Sequence, residues 1–122
     1  MNKGDNMYIL IIGHSEEENR FCKTCGPVYT AEQLAQASKF YVQRNMGLPL
    51  DVKYVDANEM AVMERYVDII RESRRQGLRF PLVFLVKDDD TYELLLHGSA
   101  EPYAIARALR DAMPELEQAH TP

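Results

Sequence analysis

Cysteine is scarce in this sequence, and its scarcity limits the chemistry that the chain can perform. Among 122 residues there are two cysteines, Cys22 and Cys25. A metal site or cluster held by four cysteines of one chain is therefore excluded. Any thiol chemistry depends on this one pair.

Long hydrophobic runs are also missing. The apolar segment from Tyr8 to Gly13 follows a polar N-terminus and is too short for the central region of a secretory signal. No stretch approaches the ~20 apolar residues that are needed to cross a bilayer. We therefore expect a cytoplasmic protein with no membrane partner. In that reducing compartment the two thiols are not expected to form a permanent structural disulfide.

Basic residues are not in excess. The 14 Lys and Arg residues are outnumbered by 19 Asp and Glu residues, which gives a formal net charge of -5 at pH 7. Because no basic face dominates, we do not expect a nucleic-acid partner. One local group of arginines occurs at Arg71, Arg74, Arg75 and Arg79, and we interpret it as a solvent-exposed helical stripe.

What the chain does contain is enough apolar material for one globular domain. Hydrophobic residues make up 46% of the sequence and charged residues 27%, both ordinary for a globular protein. A chain of 122 residues can bury a core without disulfides or metals. We predict a single domain over residues 1–122, with flexible tails at 1–6 and 118–122.

The apolar pattern alternates along the chain between that of strands and that of helices. Buried or alternating runs predict four strands, at 7–13, 50–55, 82–86 and 91–97. Apolar residues at three- and four-residue spacing predict three helices, one starting near Thr30, one from Met60 to about Gln76 and one starting near Pro102. The predicted order is β-α-β-α-β-β-α, an α/β fold with a four-stranded mixed sheet flanked by three helices. The first two strands should be parallel because a helix crosses between them, and the last two should form an antiparallel hairpin.

The two cysteines belong to a Cys22-Lys23-Thr24-Cys25 motif between the first predicted strand and the first predicted helix. Thiols at this spacing can close a small-ring disulfide or hold one metal ion from two corners. In a cytosolic protein with a β-α-β pattern, a C-x-x-C motif is above all typical of a redox pair. Free cysteines can also pack as small apolar groups. The residues alone leave redox chemistry, metal binding and inert thiols open.

The element order, the C-x-x-C after the first strand and Pro81 at the start of the third strand together resemble the thioredoxin-like superfamily. The resemblance covers roughly Tyr8 to Leu116, and among small members the chain is similar to the YuzD-like proteins. It implies a thioredoxin-like fold and a thiol-disulfide oxidoreductase that acts on protein or small-molecule disulfides. No cofactor is implied, but a separate reductase must regenerate the dithiol.

The resemblance also implies a role for each residue of the site. Cys22 would be the attacking nucleophile and Cys25 the resolving thiol. The substrate-binding residues that it implies are Phe21, Lys23, Thr24, Phe80 and Pro81. Pro81 corresponds to the cis-proline that faces the cysteine pair in this superfamily, so we expect a cis Phe80–Pro81 peptide bond opposite the two thiols.

The sequence departs from the superfamily pattern around the motif. In thioredoxins the pair lies on the first turn of its helix, where the helix dipole lowers the thiol pKa. Here Gly26-Pro27 and a capping residue at Thr30 predict a helix that begins several residues later. The acidic residues 16–18 would raise the pKa of a nearby thiol, whereas Lys23 would lower it.

Two other functions stay open beside the oxidoreductase. Cys22, Cys25 and His14 could supply three metal ligands, or part of an iron–sulfur site completed by a second copy, in a metal-binding or delivery protein. Alternatively, the domain could be a non-catalytic adaptor that binds a protein through a sheet edge or a helix face. The oligomeric state stays open as well.

Overall fold

A computed structural model of the chain describes residues 7–14, 31–45, 47, 50–87 and 91–113. Within these ranges the strands are β1 (Tyr8–Gly13), β2 (Asp51–Asp56), β3 (Leu82–Val86) and β4 (Tyr92–His97). The helices are α1 (Ala31–Asn45), α2 (Met60–Arg65), α3 (Val67–Arg75) and α4 (Pro102–Ala112). The predicted tails at 1–6 and 118–122 lie outside the described residues.

The strands form one mixed sheet in the order β2-β1-β3-β4. β1 pairs in parallel with β2 and antiparallel with β3, and β3 pairs antiparallel with β4. The mixed α/β class, the four-stranded mixed sheet, the parallel first pair and the antiparallel last pair are therefore confirmed.

Strand β1 lies inside the sheet and contributes side chains to two hydrophobic cores, one on each face. Its residues Ile9, Leu10, Ile11 and Ile12 are completely buried, as expected for an uninterrupted apolar strand that is covered on both faces. Ile9 and Ile11 belong to a core that includes residues of α1 and α4, which we call the α1/α4 core. Leu10 and Ile12 belong to a second core under α2 and α3, the α2/α3 core. Successive side chains of a strand point to opposite faces, so one strand supports two cores.

The single helix predicted from Met60 to Gln76 is wrong, because the chain forms two helices that meet at Tyr66. The backbone of Tyr66 leaves helical geometry, with φ -112° and ψ 24°, while its ring is buried in the α2/α3 core. α2 buries no residue completely, whereas α3 buries Ile70 and Ser73. The break at Tyr66 thus separates α3, which contributes the buried Ile70 to the core, from α2, whose Val62 and Met63 are only partly buried there. The described part of the chain therefore holds four helices and not the three that were predicted.

The remaining helix ends agree with the sequence signals. α1 begins at Ala31, next to the predicted cap, and Gly47 follows its end with a left-handed φ of 65°. α4 begins at Pro102, a position where proline loses no helical hydrogen bond. Among the helices of the described ranges, none is both long and apolar enough to cross a membrane.

The outer strand β4 contains an irregularity that the alternation did not predict. Val83 pairs with Leu96 and Phe84 pairs with Leu94, so Leu95 is an extra residue in β4. Such a bulge changes which face the following residues occupy. As a result, both Leu95 and Leu96 pack against the α1/α4 core, whereas Leu94 is 38% exposed.

Candidate functional site

The strand ends meet at one end of the sheet, which we call the His14 edge. The pairing registers set Gly13 beside Asp56, Ile12 beside Leu82, and Leu82 beside His97. The last residues of β1, β2 and β4 and the first residue of β3 therefore lie side by side. The segments that follow or precede these strand ends bring several polar and aromatic side chains to the same edge.

The ring of Phe80 is the contact point between three segments at this edge. The rings of His14 and Phe80 lie 5.3 Å apart, centroid to centroid, with a tilt of 52°. The guanidinium carbon of Arg74, in the last turn of α3, lies 5.7 Å from the centroid of the same ring. That distance is within the range of a cation–π interaction. Phe80 is half-buried and packs against the α2/α3 core.

The backbone around Phe80 is tied to the end of β4. The peptide bond between Phe80 and Pro81 is cis, which confirms the geometry expected for it. The N–H of Gly98 donates to the carbonyl oxygens of both Arg79 and Pro81, at 2.8 and 2.9 Å. The N–H of Arg79 makes a longer, weaker hydrogen bond of 3.4 Å to Nδ1 of His97. These bonds hold residues 79–81 against the sheet.

The end of β2 is fixed to the end of β1 in a similar way. The N–H of Ala57 donates to the carbonyl oxygen of Gly13 at 2.7 Å, and Ala57 is buried in the α2/α3 core. The Asp56 carboxylate accepts the N–H of Asn58 at 3.0 Å, which stabilises the turn that follows β2. Asp56 thus places an acidic group on the β2 side of the edge.

Among the described residues, two carboxyl groups have lowered pKa values, and exposed pairs explain both. A hydrogen bond from Lys39 is the main reason that the pKa of Asp51 is lowered, and the N–H of Val52 contributes as well. Hydrogen bonds from Gln76 and then Arg75 lower the pKa of Glu72. Both carboxyl groups pair with exposed basic side chains on the surface, so we assign both a structural role.

The predicted site residues divide into a described and an undescribed group. His14, Phe80 and Pro81 come together at the His14 edge. The other predicted residues, Phe21, Cys22, Lys23, Thr24 and Cys25, lie outside the described residues. The expectation that Pro81 faces the two thiols therefore stays a prediction.

The described residues on either side of the motif lie towards the same end of the sheet. His14 directly follows β1 at this edge. At the opposite end of the sheet, Lys39 forms an ion pair of 3.1 Å with Asp51, and Nε2 of Gln43 donates to the carbonyl oxygen of Leu50. These contacts fix the second half of α1 beside the start of β2. Because α1 rises about 1.5 Å per residue and crosses back between parallel strands, its first residue, Ala31, lies towards the His14 edge.

Sequence reasoning missed three contributors to the edge. Arg74, Arg79 and His97 were not predicted as site residues, and the arginines were interpreted as a solvated stripe. Arg71, Arg74 and Arg75 are indeed exposed on α3, but Arg74 also contacts Phe80. Arg79 is exposed but lies after the end of α3, so its assignment to a helical stripe was wrong. The position of Arg79 directly before Phe80-Pro81 in the sequence was the signal that could have indicated it.

The metal alternative is only partly represented at the edge. Within the described ranges, no group of three or more His, Cys, Asp and Glu side chains is arranged to hold a metal ion. His14 is the described member of the predicted set Cys22, Cys25 and His14. The His14 ring contacts Phe80, and a role as metal ligand would exist alongside that contact.

Comparison with known proteins assigns no family to the chain. A scan against protein-family models finds no match, and a search of curated proteins finds no similar sequence. The function is therefore inferred from the residues at the His14 edge and from the cysteine motif between His14 and α1.

Proposed function

We propose that the protein is a cytoplasmic, thioredoxin-like thiol-disulfide oxidoreductase with Cys22 as nucleophile and Cys25 as resolving thiol. The observation that carries this proposal is the arrangement at the His14 edge. The segment with the C-x-x-C pair follows His14, and the ring of His14 contacts Phe80 just before β3. The strand order and the mixture of parallel and antiparallel pairs support the thioredoxin-like part of the proposal.

The proposed reaction transfers two electrons from the thiol pair to a disulfide. The Cys22 thiolate attacks one sulfur of the substrate disulfide, whose S–S bond breaks, and the departing thiolate takes up a proton. Cys25 then loses its proton and attacks the Sγ of Cys22 in the mixed disulfide. A Cys22–Cys25 disulfide forms and the second substrate thiol is released. A reductase supplies two electrons and two protons to restore the dithiol.

The described residues support this reaction through substrate positioning. Phe80 lies between Arg79 and Pro81, whose carbonyl oxygens both accept the N–H of Gly98. The backbone on either side of Phe80 is therefore held before any substrate binds. In the proposal, an extended substrate segment lies along this backbone beside the thiols, and preorganisation reduces the entropy that binding would otherwise lose.

The test is an asymmetry between two single variants. Cys25→Ser should accumulate mixed disulfides with substrate proteins, because attack survives and resolution does not. Cys22→Ser should accumulate far fewer. Non-reducing gels of both variants, with the double variant as a blank, give the comparison. Equal trapping by both variants would contradict the assigned roles.

A parallel measurement separates the alternative functions. Metal content and absorption spectra of anaerobically purified wild-type protein report zinc or an iron–sulfur cluster. Stoichiometric metal together with an absence of trapping would favour the set Cys22, Cys25 and His14 as ligands. Absence of both trapping and metal would leave the non-catalytic adaptor as the remaining function.

A further inference from the structure

An exposed aromatic side chain lies on the outer surface of α1, separate from the site described above. Phe40 is 62% exposed, whereas the residues that α1 buries are Ala35, Ser38 and Val42. The guanidinium carbon of Arg44, one turn further along α1, lies 5.4 Å from the centroid of the Phe40 ring. This distance is within the cation–π range, and side chains four residues apart meet on one face of a helix. Phe40 and Arg44 therefore present an apolar ring and a positive charge together to the solvent.

The charge of Arg44 is not matched by a carboxylate in the described ranges. None of the ion pairs found there includes Arg44. The acidic residue in the first turn of α1 is Glu32, which lies more than three turns away from Arg44. Asp111, in the last turn of α4, makes no ion pair with Arg44 either. A carboxylate from another segment would thus meet a guanidinium that the Phe40 ring already orients.

The chain leaves α4 beside this part of α1. The two helices pack on each other, and both begin towards the sheet edge where β1 and β4 end, so they run side by side, about 8–10 Å apart. Phe40 and Arg44 are nine and thirteen residues beyond the start of α1, and Met113 is eleven residues beyond the start of α4. Because each residue adds about 1.5 Å, all three lie at similar distances from that edge. Met113 also packs against the α1/α4 core.

The sequence after Met113 complements the exposed pair. The backbone of Met113 leaves helical geometry, with φ -132° and ψ 70°, and Pro114 follows, which does not favour a continued helix. Residues 115–117 are Glu-Leu-Glu, an apolar side chain between two acidic ones; they lie outside the described residues. An extended chain spans at most about 3.6 Å per residue, so Leu116 can lie up to about 11 Å from Met113. This reach matches the distance between the two helix axes.

We propose that the segment 115–117 binds across the second half of α1, with Leu116 on the Phe40 ring and a neighbouring glutamate paired with Arg44. The apolar contact removes the exposed ring from water, and the ion pair supplies a charge-assisted hydrogen bond. The occupant of this surface is the chain's own C-terminal segment and not another protein. The inference is independent of the oxidoreductase proposal, so either can fail without the other.

The test uses the absence of tryptophan from the sequence, because a single introduced tryptophan then reports on its own surroundings. Phe40→Trp places the reporter on the proposed contact. Tyr103→Trp is the matched control, since Tyr103 is 63% exposed at the start of α4. Tyr103 is ten residues before Met113, about 15 Å along the helix and beyond the reach of Leu116. Acrylamide quenching of both full-length variants measures how far water and solutes reach each reporter.

The Phe40→Trp reporter should be quenched less than the Tyr103→Trp reporter. Adding Leu116→Ser should raise the quenching of the Phe40→Trp variant to that of the control, and should leave the Tyr103→Trp variant unchanged. Equal quenching of the two reporters, or no response to Leu116→Ser, overturns the proposal. Protection of the Phe40→Trp reporter that grows with protein concentration also overturns it, because a second copy would then cover this surface.

The charged part of the contact is tested in the Phe40→Trp background. Arg44→Gln and the double change Glu115→Gln/Glu117→Gln should each raise the quenching, and all three changes together should raise it no further, because one ion pair is lost only once. Arg110→Gln removes a positive charge from the last turn of α4 and should have a smaller effect. An Arg110→Gln effect as large as that of Arg44→Gln would overturn the assigned ion pair.

Discussion

The imidazole ring of His14 lies 5.3 Å from the ring of Phe80, centroid to centroid. This contact connects the residue after β1 with the segment that leads into β3. The same Phe80 ring receives the guanidinium of Arg74 from the end of α3. Three connections of the fold therefore meet at one side chain. A change at Phe80 should therefore affect both the residue after β1, where the segment with the cysteine motif begins, and the last turn of α3.

We predict a measurable coupling between His14 and Phe80. His14→Ala and Phe80→Leu should together cost less stability than the sum of the single changes, by about 0.5 kcal/mol, because the ring contact can be lost only once. Urea unfolding of the four proteins of this double-mutant cycle measures the coupling. As a reference pair, Tyr103→Ala, on exposed α4 surface, combined with Phe80→Leu should be additive. A coupling of zero for His14 would show that the rings do not stabilise each other.

Much of the fold could be predicted because the apolar pattern within a strand or helix indicates which of its residues are buried. β3 was predicted at Leu82–Val86, which are its observed bounds. Five consecutive apolar residues, preceded by Pro81 and followed closely by the sequence Asp88-Asp89-Asp90, are typical of a buried strand. The break at Tyr66 and the bulge at Leu95 were missed. Both depend on which side chains reach a core formed by distant segments, and a single stretch of sequence does not contain that information.

The candidate site was predictable to a similar degree. His14 and Pro81 could be placed at one edge, because the topology puts the end of β1 beside the start of β3. Arg74 could not, since its approach to Phe80 depends on how α3 packs relative to the segment that leads into β3. The contacts of Cys22 and Cys25 stay predictions because both residues lie outside the described ranges.

Gly98 should be hard to replace because of its backbone conformation. Its φ is 78°, and a Cβ at this position would meet only the Cβ of Arg79, at 3.9 Å, so space is not the obstacle. Gly98→Ala should therefore cost about 1 kcal/mol through the left-handed backbone alone. Gly98→Asn should cost less, since asparagine tolerates this region better. Chemical unfolding of both variants checks the order; an alanine variant as stable as wild type would contradict it.

Ser38 offers a predicted gain in stability. It is completely buried on the inner face of α1, and its hydroxyl has no hydrogen-bond partner in the described structure. A buried hydroxyl without a partner costs about 1–3 kcal/mol. Ser38→Ala should therefore stabilise the protein by about 1 kcal/mol, measured as a higher midpoint of urea unfolding. Gln36→Ala, exposed on the same helix, measures the gain from helix propensity alone, and Ser38→Ala must exceed it.

The ion pair between Lys39 and Asp51 should make stability depend on pH in a defined direction. The two groups lie 3.1 Å apart and are about half exposed, at 49% and 53%, so their interaction is worth at most about 1 kcal/mol. The hydrogen bond from Lys39 lowers the pKa of Asp51 in the folded state. A carboxyl group whose folded pKa is depressed stabilises the protein above its unfolded pKa of about 3.9, and loses this effect as the pH falls through the folded value.

The pair can be isolated with Asp51→Asn, since asparagine keeps an oxygen for the Val52 N–H that Asp51 now accepts at 2.9 Å. Wild type should be more stable than this variant by a constant amount near neutral pH. The difference should decrease as the pH falls below the unfolded pKa of about 3.9 and vanish once the pH lies below the lowered pKa of folded Asp51. In the Lys39→Met background, Asp51→Asn should have a smaller effect at neutral pH. High salt should reduce the difference, because exposed charges are screened. A difference that grows on acidification would contradict the lowered pKa, because it would require Asp51 to bind its proton more tightly in the folded than in the unfolded state.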